Sequence, residues 1–387
     1  MKVVSLLRVL GQPRDSKRIS MLQEAGFTVE VGAFQRDYHS GRMPSCPVQS
    51  LGKIAHGHYL RRIGKIFAAL PTLRRLIRES DLVYASGTDM AFAAIIAGFG
   101  LGKPIVLEVG DIRKVQVSSG VSGYVTRVLD RFIVNSCKLL VVTASGFVDG
   151  YYRKWLNSKT QTFVLENKLE EKSMSLLEQS DQAPLVSDPS LEKPLRIGYF
   201  GLLRSDWSWR VLEALAMAHP DDVKIVVAGF PMSHMDLPAR AAKISNMEFR
   251  GEYQSPKDLP ALYKSVDLVW ACYPDPDEHD PNWSWAQSVC RSNRFYESCF
   301  FQRPIITIVG SGDAVEVERN GLGLLIRDQG TDAMIAAITG VSKQDLATWR
   351  RNFSLLPRSV YMYVSEVDDL KRNLEDIVAR ARKSEAQ

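Results

Sequence analysis

The sequence predicts an α/β protein with two Rossmann-like domains that face a central cleft. Apolar runs such as "KVVSLL", "PIVLEVG" and "KLLVVTAS" alternate with helical stretches in the first half. Near-continuous apolar strands with helical crossovers indicate a parallel sheet covered on both faces. The same alternation restarts after residue 193, and 387 residues are enough for two cores.

The composition divides the chain further. Residues 1–169 form the predicted N-terminal Rossmann-like domain. Residues 170–193 are polar, acidic and contain proline, so they indicate a linker. Residues 194–345 form the predicted C-terminal Rossmann-like domain. The helical residues 346–387 follow it, and we expect that they can pack back on the N-terminal domain.

Overall composition excludes several classes of protein. A hydrophobic content of 45% with 24% charged residues is typical of a globular chain rather than a disordered one. No apolar run is long enough for a membrane span, and the opening stretch is interpreted as a strand rather than a signal peptide. The five scattered cysteines form no CxxC pair, which favours the reducing cytoplasm and argues against a disulfide framework or zinc site.

Charge differs between the two halves. The first 170 residues carry a net charge of +11 and the remainder −6. This asymmetry indicates two domains with different partners.

The segment "YFGLLRSDWSWRVLEALA" predicts a strand that ends at Gly201 and a helix that begins near Trp207, capped by Asp206. Glycine lets backbone amides approach an anion, and Arg204 and Arg210 can contact a diphosphate. No GxGxxG is present, which disfavours a dinucleotide site. An ordinary turn with surface arginines is the alternative.

The segment "NRFYESCFFQRPIITI" places one carboxylate, Glu297, among aromatic residues just before a buried strand. Helical spacing puts Glu297 one turn from Arg294. A structural ion pair between the two residues is one interpretation. A ligand that a carboxylate grips is the other.

Together these segments resemble the GT-B glycosyltransferases, especially the retaining family-four members that build bacterial polysaccharides and glycolipids. "NRFYESCFFQRPII" is similar to that family's "NKFYEYLACGKPVI", with Arg294 in place of the lysine. The resemblance implies that Glu297 binds the ribose hydroxyls of a nucleotide sugar. It also implies that Gly201, Arg204, Arg210 and Arg294 hold the donor nucleotide. By the same resemblance, residues 194–345 bind the nucleotide sugar and residues 1–169 bind the acceptor. It covers most of residues 195–330 and is weaker over 1–165.

Downstream, "GSGDAVEVERNGLGLLI" resembles the family segment that contacts the donor sugar or phosphate, which implicates Gly310, Ser311 and Gly312. A loop that uses glycine for backbone freedom is the alternative. One position departs from the family pattern, because Val289 stands where the first of two paired glutamates is expected. That departure leaves the donated sugar and the choice between retention and inversion open.

An acidic loop lies just before that position, with the carboxylates Asp275, Asp277, Glu278 and Asp280. They could replace the missing glutamate or hold a divalent ion. Their spacing is not that of an EF-hand, and a solvated loop is the simpler interpretation. We therefore predict no metal and no cofactor, with the nucleotide sugar as substrate.

Two carboxylates of the first half are candidate catalytic bases. Asp111 ends the strand in "PIVLEVGDIRK", where it would face the cleft and take the acceptor hydroxyl proton in an inverting reaction. Asp15 follows the first strand and is the second candidate. The alternatives are a helix cap or a salt bridge to Arg113 for Asp111, and a cap of the first helix for Asp15.

The segment 53–78 predicts a basic amphipathic helix that is broken or kinked near Pro71. Such a helix can pack on the core or lie on an anionic membrane, and the resemblance favours the membrane or a lipid-linked acceptor. Nucleic acid is not a predicted partner, because no binding motif accompanies the charge. The basic residues concerned are Arg61, Arg62, Lys65, Arg74 and Arg75.

The sequence therefore predicts a glycosyltransferase that moves a sugar from a UDP-sugar to a saccharide or lipid-linked saccharide acceptor in cell-surface polysaccharide biosynthesis. It is expected in the cytoplasm, peripheral on the inner face of the membrane. Two alternatives stay open, a nucleotide-sugar 2-epimerase on the same fold and a non-catalytic binding partner.

Overall fold

A computed structural model describes residues 1–35, 43–53, 59–171, 174, 194–232, 236–273 and 281–385. The chain divides into two compact units. The first unit comprises residues 1–166 and 365–387, and the second comprises residues 167–364. Of the residues predicted as C-terminal helices, 346–364 thus lie in the second unit and the rest in the first.

The first unit is built on a seven-stranded parallel sheet with the order β3-β2-β1-β4-β5-β6-β7. Every residue of β4, β5 and β6 is buried, because helices cover both faces. Its strands are β1 (Lys2–Leu7), β2 (Thr28–Gln35), β3 (Val48–Lys53), β4 (Leu82–Ser86), β5 (Ile105–Val109), β6 (Leu139–Val142) and β7 (Thr162–Val164). Its helices before the second unit are α1 (Pro13–Glu24), α2 (Tyr59–Arg78), α3 (Thr88–Ala97), α4 (Lys114–Val117), α5 (Val121–Ser136) and α6 (Ser145–Phe147), which runs into a π-helical turn (Val148–Arg153).

The second unit is built on a six-stranded parallel sheet with the order β10-β9-β8-β11-β12-β13. Apolar clusters lie on its two faces. Its strands are β8 (Leu195–Leu203), β9 (Val223–Pro231), β10 (Met247–Phe249), β11 (Leu268–Trp270), β12 (Ile305–Ile308) and β13 (Gly323–Ile326). Its helices are α7 (Asp206–Ala218), α8 (Leu237–Ala241), α9 (Leu259–Lys264), α10 (Pro281–Ser288), α11 (Asn293–Phe301), α12 (Ala314–Asn320), α13 (Thr331–Thr339) and α14 (Lys343–Ser354), followed by a 3₁₀ turn (Arg358–Val360).

The last helix, α15 (Glu366–Glu385), returns to the first unit and packs beside α1. The Arg382 guanidinium donates to Asp81 Oδ1 at 2.8 Å, and the Gln161 amide donates to Asn373 Oδ1 at 2.7 Å. These contacts tie the end of the chain to the first sheet.

The two sheets confirm the predicted α/β architecture with two Rossmann-like halves. In each sheet the strand order reverses beside the first strand, between β1 and β4 and between β8 and β11. Ligands of such sheets bind beyond the carboxyl ends of the strands at this point. We call the side on which the strands end the carboxyl edge of each sheet.

Helix α2 differs from its prediction in one respect. It runs without interruption from Tyr59 to Arg78, so a break at Pro71 is wrong, while the alternative of a kink there stays a prediction. The Pro71 side chain is exposed, and its ring therefore lies on the solvent face of the helix. Among the residues that the structure describes, no helix is both long and apolar enough to cross a bilayer.

Candidate functional site

The carboxyl edge of the second sheet is shaped by glycine at the end of β8. Gly201 has φ +103° and Gly229, at the end of the neighbouring β9, has φ +140°. A Cβ on Gly229 would lie 1.8 Å from the Gly201 carbonyl oxygen, and a Cβ on Gly201 would lie 2.4 Å from an Arg294 guanidinium nitrogen. Only glycine adopts such φ values readily and leaves room for the guanidinium of Arg294 directly against the backbone.

Arg294 brings a positive charge to that backbone from the first turn of α11. Its guanidinium carbon lies 5.2 Å from the centroid of the Tyr273 ring, which is cation–π distance. Among the described residues, its buried Nε has no hydrogen-bond partner. Burial alone would lower the pKa of Arg294, but Tyr273 and Glu297 outweigh burial and raise it. The side chain is thus a fixed cation with an unused donor.

Glu297 lies one turn further along α11 and is only 6% exposed. The hydroxyl of Tyr263 donates to its Oε2 at 2.7 Å. The Tyr263 ring stacks on Phe301 with centroids 4.7 Å apart, and Arg303 Nε donates to the Tyr263 carbonyl at 2.8 Å. Tyr263 thus fixes the orientation of the carboxylate. Sequence reasoning missed it, since it lies on α9, far from the motif in sequence.

The start of α11 is anchored to the loop after β12. Ser292 caps the helix by accepting from the Phe295 amide at 3.3 Å. Its own amide and hydroxyl donate to the carboxylate of Asp313 at 2.8 and 2.6 Å. Burial raises the pKa of Asp313, against the two hydrogen bonds from Ser292. The buried Asp313 therefore joins α11 to the loop that contains Gly310 to Gly312.

That loop is held close to the residues before α11. Gly310 has φ +88°, and Ser311 Oγ lies 2.9 Å from Thr307 Oγ1 of β12. A Cβ on Gly312 would lie 1.8 Å from the Cys290 carbonyl oxygen. The structure thus groups Gly201, Arg294 and Glu297, with the Gly310–Gly312 loop tied to them through Asp313.

Arg204 and Arg210 lie on either side of the start of α7, and both side chains are exposed. The helix begins at Asp206, and its cap is Ser205, whose Oγ accepts from the Ser208 amide at 3.1 Å. The predicted helix start near Trp207 is therefore confirmed to within one residue, whereas the prediction that Asp206 is its cap is wrong. Among the described residues, the cation on the Gly201 backbone is Arg294.

At the carboxyl edge of the first sheet, Asp111 is 77% exposed. Arg14 donates to its Oδ2 at 3.3 Å, so the partner is Arg14 rather than the expected Arg113. The guanidinium of Arg14 lies over Gly110, where a Cβ would come within 1.5 Å of it. Asp111 is thus accessible and held by one cation.

Asp15 is buried in the same region. Ser86 Oγ donates to its Oδ1 at 2.8 Å, while its Oδ2 has no hydrogen-bond partner within the part of the chain that the structure describes. Burial raises the pKa of Asp15. Helix α1 begins at Pro13 with Gln12 at the cap position, so Asp15 does not cap it as the alternative held.

Glu108, at the end of β5, forms a buried ion pair with Arg18 of α1. Arg18 donates to the two carboxylate oxygens at 2.8 and 3.0 Å, and the Tyr84 hydroxyl donates to Oε2 at 2.5 Å. Burial alone would raise the pKa of Glu108, but Arg18 outweighs it and the pKa is lowered. The pair joins α1 to the sheet beneath the exposed Asp111.

No protein-family model matches this sequence. The succinoglycan biosynthesis protein ExoL of Rhizobium meliloti is 26% identical over 346 residues, which is 87% of this chain and 84% of ExoL. The crystal structure of Anabaena HepE with UDP superposes with a TM-score of 0.65 at 17% identity and covers 97% of this chain and all of HepE. The glycosyltransferase WaaG, involved in lipopolysaccharide biosynthesis, superposes with a TM-score of 0.63 at 13% identity and covers 95% and 98%.

The chain has the GT-B fold. Its two parallel sheets with helices match the two-domain α/β architecture of those structures. The similarity covers both units, including the first one, where sequence motifs were weaker.

Part of the predicted basic face of α2 is used in contacts within the protein, so only part of it can contact a membrane or an acceptor. Arg74 donates to the carbonyls of Ala97 and Phe99 at 2.9 Å each, at the end of α3. Arg75 donates to Gln49 Oε1 at 3.2 Å, and Lys65 is exposed. The side chains of Arg61 and Arg62 lie outside the described residues.

The predicted acidic loop comprises residues 274–285. Its four carboxylates lie within 274–280, outside the described residues, and residues 281–285 belong to α10 rather than to a loop. In the part of the chain that the structure does describe, no group of three or more His, Cys, Asp or Glu side chains is placed to hold a metal ion. Val289, at the position where the resemblance predicts a glutamate, is half-buried just after α10.

Proposed function

We propose that this chain is a glycosyltransferase that moves a sugar from a UDP-sugar to a saccharide or lipid-linked saccharide during cell-surface polysaccharide biosynthesis. The observation that carries the proposal is the Arg294 guanidinium on the backbone of Gly201, one helical turn from the buried carboxylate of Glu297. The name of ExoL, and the HepE structures with UDP and with UDP-glucose, support the choice of pathway and nucleotide.

Each group of the cluster has a role in holding the donor. Arg294 holds its guanidinium charge on the Gly201 backbone, where it attracts the diphosphate, and charge-assisted bonds of this kind are the strong ones. The exposed Arg204 and Arg210 add positive charge on the neighbouring turn. Glu297, oriented by Tyr263, accepts from the ribose hydroxyls. The Gly310–Gly312 loop lies near the sugar or its phosphate.

In the proposed reaction the acceptor oxygen bonds to the anomeric carbon while the bond from that carbon to the diphosphate breaks. The departing diphosphate gains negative charge, which Arg294 stabilises electrostatically. In an inverting enzyme Asp111 takes the acceptor proton, with Asp15 as the second candidate. In a retaining enzyme the departing phosphate takes it. The first unit binds the acceptor in either case.

A thermal-shift panel with UDP, GDP, CMP and ADP tests the donor site. A nucleotide at about a hundred times its Kd adds about 2.7 kcal/mol to the free energy of unfolding. We expect UDP to stabilise the wild type and the shift to shrink in Glu297→Gln. The exposed Glu318→Gln on α12 is the matched control and should keep the full shift. No shift with any nucleotide would remove the basis of the proposal.

A second assay separates the alternatives. A 2-epimerase would convert the UDP-sugar with no acceptor present, whereas a transferase needs the acceptor. Val289 favours a third outcome, in which nucleotide binds and no turnover follows. Incubation of UDP-glucose with and without a lipid-linked saccharide distinguishes the three outcomes when both the release of UDP and the conversion of the UDP-sugar into its epimer are followed.

The nature of the acceptor also indicates where in the cell the protein acts. A lipid-linked saccharide is presented at a membrane surface, so we propose a cytoplasmic protein that associates peripherally with the anionic inner face of the membrane. The basic first half of the chain is complementary to that surface.

A further inference from the structure

Helix α5 carries an apolar stripe on its solvent side. Its six members are between 43% and 82% exposed and recur at offsets 0, 3, 4, 7, 8 and 11, which is one face of a helix. They make up six of the twenty large hydrophobic side chains that are exposed among the described residues. The stripe consists of Val121, Tyr124, Val125, Val128, Leu129 and Phe132.

The opposite side of α5 already serves the core of the first unit. Ile133 and Val134 are buried, and the buried Asp130 accepts from Gln116 and Tyr151 at 2.5 and 2.7 Å. The helix is therefore fixed in rotation, and the stripe cannot turn inward. Scattered single hydrophobic residues are normal on a surface, but a contiguous apolar face marks a docking site.

The neighbouring helix extends the apolar surface. Helix α3 packs between α2 and α5, and near its end Ile96 is 36% exposed and Phe99 82% exposed. Helix α2, by contrast, turns Leu73, Leu76 and Ile77 into the core. Among the described side chains of this helical layer, most of the exposed apolar surface thus lies on α5 and the end of α3, while α2 contributes Phe67, which is 53% exposed.

The charge of the same layer identifies the partner. Helices α2, α3 and α5 together contain eight Lys and Arg and two Asp and Glu, one of which is the buried Asp130. Arg131 is exposed at the border of the stripe, and Arg113 and Lys114 are exposed just before α5. An apolar stripe bordered by cations fits an anionic lipid bilayer, whereas a second copy would place these cations against one another.

The position of the stripe also fits a lipid-linked acceptor. Helix α5 follows β5 and α4, so its first turns, with Val121 and Tyr124, lie toward the carboxyl edge where Asp111 is exposed. We propose that the stripe on α5 inserts into the interface of an anionic bilayer and holds this edge of the first unit at the membrane. The proposal deepens the proposed function and rests on its lipid-linked acceptor.

Vesicle flotation of the full chain tests the proposal. The vesicles are phosphatidylcholine alone or with about one third phosphatidylglycerol. We expect binding to the anionic vesicles that weakens at high salt. Tyr124→Ser/Val128→Ser/Phe132→Ser should lower it at least about tenfold, because serine has a similar helix propensity but adds no apolar surface. Met217→Ser/Leu355→Ser/Val364→Ser, equally exposed in the second unit, is the control and should bind as the wild type.

Four outcomes would overturn the inference. The wild type could fail to bind anionic vesicles, or the α5 variant could bind as the wild type does. Alternatively, Lys65→Gln/Arg75→Gln on α2 could abolish binding while the α5 variant keeps it. Light scattering tests whether the stripe instead binds a second copy of the chain. The proposal is also contradicted if the wild type forms a dimer that the α5 variant loses, and no binding to vesicles is seen. The UDP-induced thermal shift of each variant checks folding and reports separately on the donor site.

Discussion

The carboxyl edges of the two sheets each hold a buried or half-buried arginine, but in different surroundings. In the first sheet Arg18 contacts both oxygens of Glu108, and Tyr84 donates to the same carboxylate. In the second sheet Arg294 lies against the Tyr273 ring and the Gly201 backbone, and its Nε has no hydrogen-bond partner in the described part of the chain.

The difference shows how one strand order can serve two purposes. In the first sheet the buried charge is used within the fold, because it joins α1 to β5. In the second sheet the guanidinium of Arg294 is held by the Tyr273 ring and the Gly201 backbone. A hydrogen-bond donor therefore remains for an anion. A buried charge is therefore evidence for a ligand only after its protein partners are accounted for.

The largest effect should come from breaking the pair in the first sheet. Arg18→Met leaves the buried Glu108 without its cation, which should cost about 3–5 kcal/mol in the free energy of unfolding. Urea denaturation measures it. The double variant Arg18→Met/Glu108→Met removes both charges and should recover much of the loss. If the single and double variants are equally destabilised, the pairing is not the cause.

The corresponding change in the second sheet should act on the ligand instead. Arg294→Met should change the free energy of unfolding less than Arg18→Met does, since no buried carboxylate contact of Arg18's kind is broken. It should weaken UDP binding about a hundredfold, because the diphosphate loses a charged partner. Titration calorimetry measures the affinity. If Arg294→Met binds UDP as tightly as the wild type does, the diphosphate does not bind beside Gly201.

A matched pair of tyrosines sharpens the comparison. Tyr84→Phe and Tyr263→Phe each remove one hydroxyl that donates to a buried carboxylate. Each should lower the free energy of unfolding by about 1.5–3 kcal/mol. Only Tyr263→Phe should also weaken UDP binding, by about tenfold, because Glu297 loses its orientation.

The ligand provides the control for this pair. A 2′,3′-dideoxy analogue of UDP cannot offer the ribose hydroxyls, so wild type and Tyr263→Phe should bind it equally. Unequal binding of the analogue would place the effect of Tyr263 somewhere other than the ribose.

The smallest expected effect concerns pH. Burial raises the pKa of Asp313, so its stabilising contribution is present below the unfolded value near 3.8 and is lost as pH rises through the folded value. Asp313→Asn should remove this pH-dependent contribution from the free energy of unfolding of the second unit. In the first sheet the pKa of Glu108 is lowered, so its contribution to the free energy of unfolding should depend on pH in the opposite way. That contribution is lost as pH falls. Denaturation at several pH values compares the two, and an unchanged slope in Asp313→Asn would contradict the assignment.

Much of the fold follows from local sequence, because a buried parallel strand must be apolar along its whole length. The runs "LVYAS" and "IVLEV" are fully buried strands. Local patterns were less successful at boundaries. The helix after β8 is capped by Ser205 rather than Asp206, and α2 continues through Pro71, whose side chain is exposed.

The sequence by itself determined the alternation of strands and helices and the grouping of Arg294 with Glu297 on one helix. Helical spacing alone places those two residues on the same side. The tertiary structure decided their partners. Tyr263 reaches Glu297 from another helix, Arg294 reaches Gly201 from another element, and Arg18 reaches Glu108 across the first unit. Such contacts depend on how distant segments pack, and no periodicity in one segment encodes them.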